Sequence, residues 1–207
     1  TPDMRAQLLD AGVGLLDAVI FTHEHADHVH GLDDLRMIVF NRRSRLPVWA
    51  NPETQTALLG RFAYAFVQPE GSPYPPILDL RTIDGTVEIE GAGGVIAFEP
   101  FAVEHGSIDA LGFRIGPLAY LPDVSAMNED AWAAVEGADT WVVDALRYKP
   151  HPTHSHLERT LGWIERAGVR RGVLTNMHVD LDYATLAAET PEHVIPAHDG
   201  MVLSFTV

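Results

Sequence analysis

The chain has 207 residues, 46% of them hydrophobic and 21% charged, which suits one globular domain spanning 1–207. It has no run of about 18 apolar residues able to cross a membrane, so a soluble, cytoplasmic protein with no membrane partner is expected. Fourteen Lys and Arg against 29 Asp and Glu give a formal charge of -15, which disfavours long nucleic acid, and the lack of Cys excludes disulfides and thiolate metal sites within these residues.

The opening "TPDMRAQLLDAG" reads as a helix entered from preceding chain, with Thr1 as N-cap and Pro2 at the first helical position, so the natural start is expected further upstream. "LDAVIFT" (16–22) reads as a strand, 28–40 as a helix, "LPVWA" as a strand, and Pro52 to about Phe66 as a helix capped by Asn51. Residues 68–79 form a Pro and Gly rich loop, followed by β-like runs near 80–90, 94–102, 110–115 and 118–121, antiparallel in style. "NEDAWAAVEGA" reads as a helix, "TWVVDAL" as a buried strand, "SHLERTLGWIERAG" as an amphipathic helix ending at Gly168, and "RRGVLTNM" as a strand. A short helix (181–188) and a last strand, "GMVLSFTV", complete an alternation that is α/β in class. No internal repeat or low-complexity tract interrupts it.

The densest chemistry lies in "IFTHEHADHVHGLDDL", residues 20–35, where four histidines and four acidic residues directly follow an apolar run. Residues two apart in extended chain point the same way, so His23 and His25 can share one metal. Asp27 and His28 follow where the chain turns into a helix and can serve a second cation. Imidazole and carboxylate ligands suit zinc, manganese or iron(II).

"HEHADH" at 23–28, "VEHG" with His105, "LPDV" with Asp123 and "TNMHVD" with His178 together resemble the metallo-β-lactamase fold hydrolases, an αββα sandwich. That resemblance implies two divalent metal ions, zinc or manganese with iron also compatible. It assigns His23, His25 and His105 to the first, Asp27, His28 and His178 to the second, and Asp123 as the bridge. Within the superfamily, "VVDALRYKPHPTHSHLERTL", "VLTNMHVDLDY" and the closing "HDGM" are similar to the branch of phosphoribosyl cyclic phosphate phosphodiesterase and, more distantly, the tRNA 3′-processing nuclease. It places His154 beside the metals as the catalytic proton donor to the departing alkoxide. His156 competes for that role or for substrate binding, while His151 and His30 read as solvated loop and helix-surface residues. Asp144, ending "WVVD", reads as an acceptor that orients a ligand histidine, with Asp199 a weaker instance.

Two departures stand against the resemblance. The cyclic phosphodiesterase type carries a cysteine-containing structural zinc site, which these residues cannot build, and the strands that begin the fold ahead of the first motif are missing from them. The function expected is a dinuclear metal-dependent phosphodiesterase acting on a small, cyclic phosphodiester such as a sugar phosphate or nucleotide, since "NRRSR" at 41–45 is the only dense basic run. The alternatives are an esterase, thioesterase or lactonase of the same fold, and a non-catalytic metal-binding or ligand-binding accessory protein. Phe62, Tyr64 and Phe66 fit either a homodimer surface or a packed core.

Overall fold

A computed structural model describes residues 1–206. Residue contacts divide the chain into two compact units, Thr1–Val95 and Ile96 onward, each with its own apolar core.

The first unit opens on helix α1 (Met4–Asp10), whose N-cap is Asp3 rather than Thr1. Strand β1 is only Val19–Ile20, although Phe21 N–H extends its pairing to the Trp49 carbonyl at 2.9 Å. Strands β2 (Leu46–Ala50) and β3 (Leu78–Thr82) complete a parallel sheet in the order β1-β2-β3. Leu46, Val48 and Ala50 of β2 are buried with Phe21 and Leu78. Helix α4 (Pro52–Phe66) begins where the Asn51 side chain accepts from Thr54 N–H, and it kinks at Phe62 (φ -131°, ψ 31°). Phe66 is buried and Tyr64 exposed, so the aromatic run is divided between core and surface.

The helix expected over 28–40 is instead three pieces: α2 (Ala26–Val29), a 3-10 turn (Leu32–Asp34) and α3 (Leu35–Arg42). The break falls at Gly31, where a Cβ would stand 2.1 Å from the Thr1 carbonyl oxygen. Only glycine admits that close approach. The run 80–90 likewise divides into β3 and β4 (Val87–Gly91), separated at Gly85 with φ +107°.

In the second unit, β5 (Gly94–His105), β6 (Ile108–Ile115) and β7 (Leu118–Leu121) form the expected antiparallel meander. Parallel neighbours β8 (Thr140–Asp144), β9 (Arg171–Thr175) and β10 (Val194–Pro196) extend it in the order β10-β9-β8-β7-β6-β5. Helices α5 (Glu129–Val135), α6 (Leu157–Ala167) and α7 (Tyr183–Glu189) pack against β6, β8 and β10. The core is Trp141, Val143, Leu121, Val103, Ile164 and Leu174 with their neighbours.

The strand expected over 200–207 does not form: 201–206 have no regular structure, Val202 is exposed, and Val207 lies outside the described residues. Alternating polarity makes a strand only where a neighbour supplies the ladder. Among the described residues no helix is long and apolar enough to cross a membrane.

Candidate functional site

The first unit's contribution starts where β1 ends. The apolar residues of "AVIF" carry the chain inward, so Thr22 is nearly buried and His23 fully so. His25 stays extended (φ -63°, ψ 152°) as the N-cap residue of α2, and Asp27 and His28 fall in that helix. Extended backbone puts His23 Nε2 3.1 Å from His25 Nδ1, while the His23 and His28 rings stand 4.3 Å apart. Thr22 Oγ1 lies 3.0 Å from His23 Nδ1, the nitrogen turned away from His25. Asp27 Oδ2 is 3.3 Å from His28 Nε2. A residue outside the expected set also holds this loop: the Arg61 guanidinium, one position before the kink in α4, donates to the Glu24 carbonyl between the two histidines.

The second unit's contribution is built on the ends of three strands, where loops can carry polar groups on a rigid scaffold. His105 ends β5, Asp123 follows β7, and Asp144 ends β8; each is 1% exposed or less. Burying a carboxylate is costly unless donors meet it. The Oδ2 of Asp144 accepts from Val124 N–H at 3.1 Å, Ser155 N–H at 3.2 Å and His154 Nδ1–H at 3.0 Å. Its Oδ1 has no hydrogen-bond partner. Burial pushes the Asp144 carboxyl up to about 6, against the opposing pull of the His154 hydrogen bond. Asp123 Oδ1 accepts from Asn176 Nδ2–H at 2.9 Å, and stands 3.6 Å from His154 Nδ1 and 3.7 Å from His105 Nε2.

The tautomer of His105 follows from its partner. A carbonyl can only accept, so the 2.6 Å contact with the Thr153 carbonyl puts the His105 proton on Nδ1 and leaves Nε2 with a lone pair on the Asp123 side. Ligand atoms of His105, Asp123 and His154 all lie within 4.8 Å of one another. Imidazole nitrogen and carboxylate oxygen at that spacing, with each side chain anchored by an outer partner, fit a borderline divalent cation such as zinc.

The other expected residues are placed less centrally. His178 follows β9, its backbone N–H bonded to the Leu146 carbonyl at 2.7 Å and its side chain 58% exposed beside Asp180. The hydrogen bond from His178 Nδ1 holds the Asp180 carboxyl below its ordinary range. His178 joins no group of three ligand atoms among the described residues. Helix α6 begins at Leu157, so His156 is its N-cap residue rather than a first-turn residue, and burial lowers the pKa of its ring. Asp199 lies in the exposed turn after β10, where its backbone carbonyl accepts from His198 Nδ1–H at 3.0 Å. In the basic run, Arg42 is committed to the Leu16 and Asp17 carbonyls at 2.7 and 3.2 Å.

His151, expected as a solvated loop residue, instead has its ring 5.2 Å from that of His154, with Nδ1 accepting from Thr153 N–H. Asn176, Thr153 and Arg61 were not singled out in the sequence. Asn176 carried one usable signal: an Asn at a strand end is a frequent occupant of positive φ, and here φ is 57°. Thr153 and Arg61 act through a backbone carbonyl, theirs or another's, and no residue pattern encodes that.

Comparison with known proteins gives consistent matches. A family model described as "Beta-lactamase superfamily domain" matches residues 1–178. An octanoyltransferase of Porphyromonas gingivalis is 34% identical over 206 residues, which are 97% of this chain and 40% of that protein. The chain thus spans about two fifths of that curated relative. A crystal structure titled as a new diphosphatase from the PhnP family superposes with a TM-score of 0.89 at 34% identity, over all of this chain and 78% of that one. The short form of human tRNase Z matches with a TM-score of 0.68 at 17% identity, covering 99% and 86% of the two chains, which is a likeness of fold.

Proposed function

Because this chain belongs to the beta-lactamase superfamily, with the metallo-β-lactamase α/β fold and a place in its PhnP-like branch of hydrolases, we propose that it is a dinuclear metal-dependent phosphodiesterase acting on a small phosphodiester. The single observation that carries the reading is the group His105, Asp123 and His154, whose ligand atoms lie within 4.8 Å of one another, with Nδ1 of His105 on the Thr153 carbonyl and Nδ1 of His154 on the Asp144 carboxylate. His23, His25, Asp27, His28, His105, Asp123 and His178 are the proposed metal ligands. For His178 the support is its place in "TNMHVD" alone. Bound divalent ions supply charge neutralisation at the phosphoryl oxygens and an acidified water.

The rest falls to side chains of this protein. Asp144 holds His154 Nδ1–H at 3.0 Å and so presents Nε2 as the other, exchangeable nitrogen. A protonated His154 then gives its Nε2 proton to the leaving oxygen, with the Asp144 carboxylate stabilising the imidazolium. Asn176 steadies Asp123 through Oδ1. A net charge of -15 supports a small substrate over a polynucleotide, because a long polyanion needs an extended basic track.

A second reading is favoured by the likeness to the PhnP-family diphosphatase. The same groups serve a phosphoanhydride, whose leaving group is a phosphate and depends less on a proton from His154.

The test is metal analysis of purified protein joined to hydrolysis of bis-p-nitrophenyl phosphate, a cyclic ribose phosphate and a dinucleoside diphosphate, for wild type, Asp123→Ala and His154→Ala. Two metals per chain, loss of metal in Asp123→Ala, and a roughly 100-fold or larger loss of phosphodiester turnover with metal retained in His154→Ala are expected. Turnover of the anhydride alone, insensitive to His154→Ala, selects the second reading. Hydrolysis of only a carboxylic ester, thioester or lactone refutes both.

A further inference from the structure

Two loops of the second unit meet at Thr153. Its carbonyl accepts from His105 Nδ1–H at 2.6 Å, while its own N–H and hydroxyl donate to His151 Nδ1 at 3.3 and 3.2 Å. With the hydroxyl committed to His151, the Thr153 methyl turns to the one neighbour without a side chain. A Cβ on Gly106 would stand 2.4 Å from Thr153 Cγ2 and 3.0 Å from its Cβ. Gly106 directly follows His105 and has φ +69°, a conformation that glycine adopts without strain.

We infer that Thr153 is a positioning residue for the metal ligand His105, and that Gly106 is the clearance that lets it act as one. This rests on the ligand role proposed above for His105. The chain of contacts has a direction. His151 fixes the Thr153 rotamer, the rotamer fixes the methyl against Gly106, and the close fit sets the carbonyl opposite His105 Nδ1. A side chain at 106 cannot be relieved by rotating Thr153, because rotation breaks the bond to His151. The segment 151–153 must move instead, taking the carbonyl with it and releasing the tautomer that keeps the His105 Nε2 lone pair toward Asp123. The clamp also ties His105 to His151, whose ring lies against His154, so the two histidines of the Asp123 group share one support.

The test compares wild type, Gly106→Ala, Thr153→Ser and the double variant, with zinc alone as the probe. Zinc affinity is measured by competition with a chromogenic chelator, and the His105 tautomer by long-range proton–nitrogen NMR of the metal-free protein at a pH where imidazoles are neutral. Thr153→Ser keeps the carbonyl, N–H and hydroxyl and deletes only the methyl. Gly106→Ala is expected to weaken zinc binding about 10- to 100-fold, the range found when an outer partner of a metal histidine is lost. Thr153→Ser alone is expected to bind within about threefold of wild type, and the double variant to bind more tightly than Gly106→Ala, the strain of an alanine at φ +69° being common to both. A double variant as weak as Gly106→Ala overturns the inference. So does a wild-type His105 carrying its proton on Nε2, a readout that holds even if Gly106→Ala fails to fold. A wild type that binds no zinc yet shows the Nδ1–H tautomer refutes the proposed function while upholding the clamp.

Discussion

Replacing Asp144 probes the largest concentration of buried polarity in the second unit. One carboxylate oxygen accepts three N–H groups, two from backbone and one from His154, at 3.0 to 3.2 Å, and the residue is 0% exposed. Asp144→Ala leaves those donors without an acceptor, at about 1–3 kcal/mol for each that water cannot reach. Taking the low end for the two backbone groups and the imidazole gives about 3 kcal/mol, a large part of the roughly 5–15 kcal/mol that holds a domain together. Asp144→Asn keeps an oxygen in the same place and should cost less than Asp144→Ala, because the backbone and imidazole donors retain an acceptor. The two variants also differ from wild type in pH dependence. Burial raises the Asp144 carboxyl from 3.8 to about 6, so between those values the folded state holds a proton that the unfolded state has released. Stability of the metal-free protein therefore falls as pH rises through that window, by about 1.4 kcal/mol per pH unit and about 3 kcal/mol in all. Asp144→Asn lacks this contribution, so its deficit relative to wild type should shrink as pH goes from about 4 to about 7. Urea unfolding of metal-free protein across that range measures both effects. A loss below about 1 kcal/mol in Asp144→Ala, or parallel pH profiles for wild type and Asp144→Asn, would refute the reasoning.

Other consequences are checked more simply. Asn176→Ala removes the 2.9 Å donor to Asp123 Oδ1 and should lower metal affinity about 10-fold while shifting thermal stability of metal-free protein little; isothermal titration with zinc measures this. Gly112→Ala would put a Cβ 2.4 Å from Phe101 Cζ and 3.0 Å from Leu121 Cδ1, so about 1–3 kcal/mol of stability should be lost, read from urea midpoints. Arg170 grips the Asp139 carboxylate with bonds of 2.6 and 2.8 Å and holds it below its ordinary range. The resulting stabilisation is present above pH 4 and is lost as pH falls through the lowered value, so wild type and Arg170→Ala should converge in melting temperature on acidification. Chelation of bound metal should lower the melting temperature of the loaded protein, and re-addition of zinc should restore it.

Several features were legible in the sequence because they depend on neighbours along the chain. Asn51 caps its helix through a side-chain oxygen three residues ahead of the bonded N–H, and Gly168 ends α6 in the left-handed region. The antiparallel meander of β5 to β7 followed from short β-like runs separated by turn residues. The spacing in "HEHADH" was readable because residues two apart in extended chain share a side, as His23 and His25 do, and His105, Asp123 and Asp144 were recognisable as polar residues closing apolar runs. What only the tertiary structure decided depends on groups brought together from distant positions. Where the helix expected over 28–40 divides, Gly31 admits a close approach of the Thr1 carbonyl that no neighbour along the chain announces, and 201–206 form no strand because alternation cannot supply a partner. Asp144 becomes the support of His154 only when the β8 end, Val124 and the 154–155 loop converge, and Thr153 orients His105 through a carbonyl that every residue type possesses. A sequence lists side chains in order; hydrogen bonding to backbone, and the cost of burying a charge, are set by which atoms the fold makes neighbours.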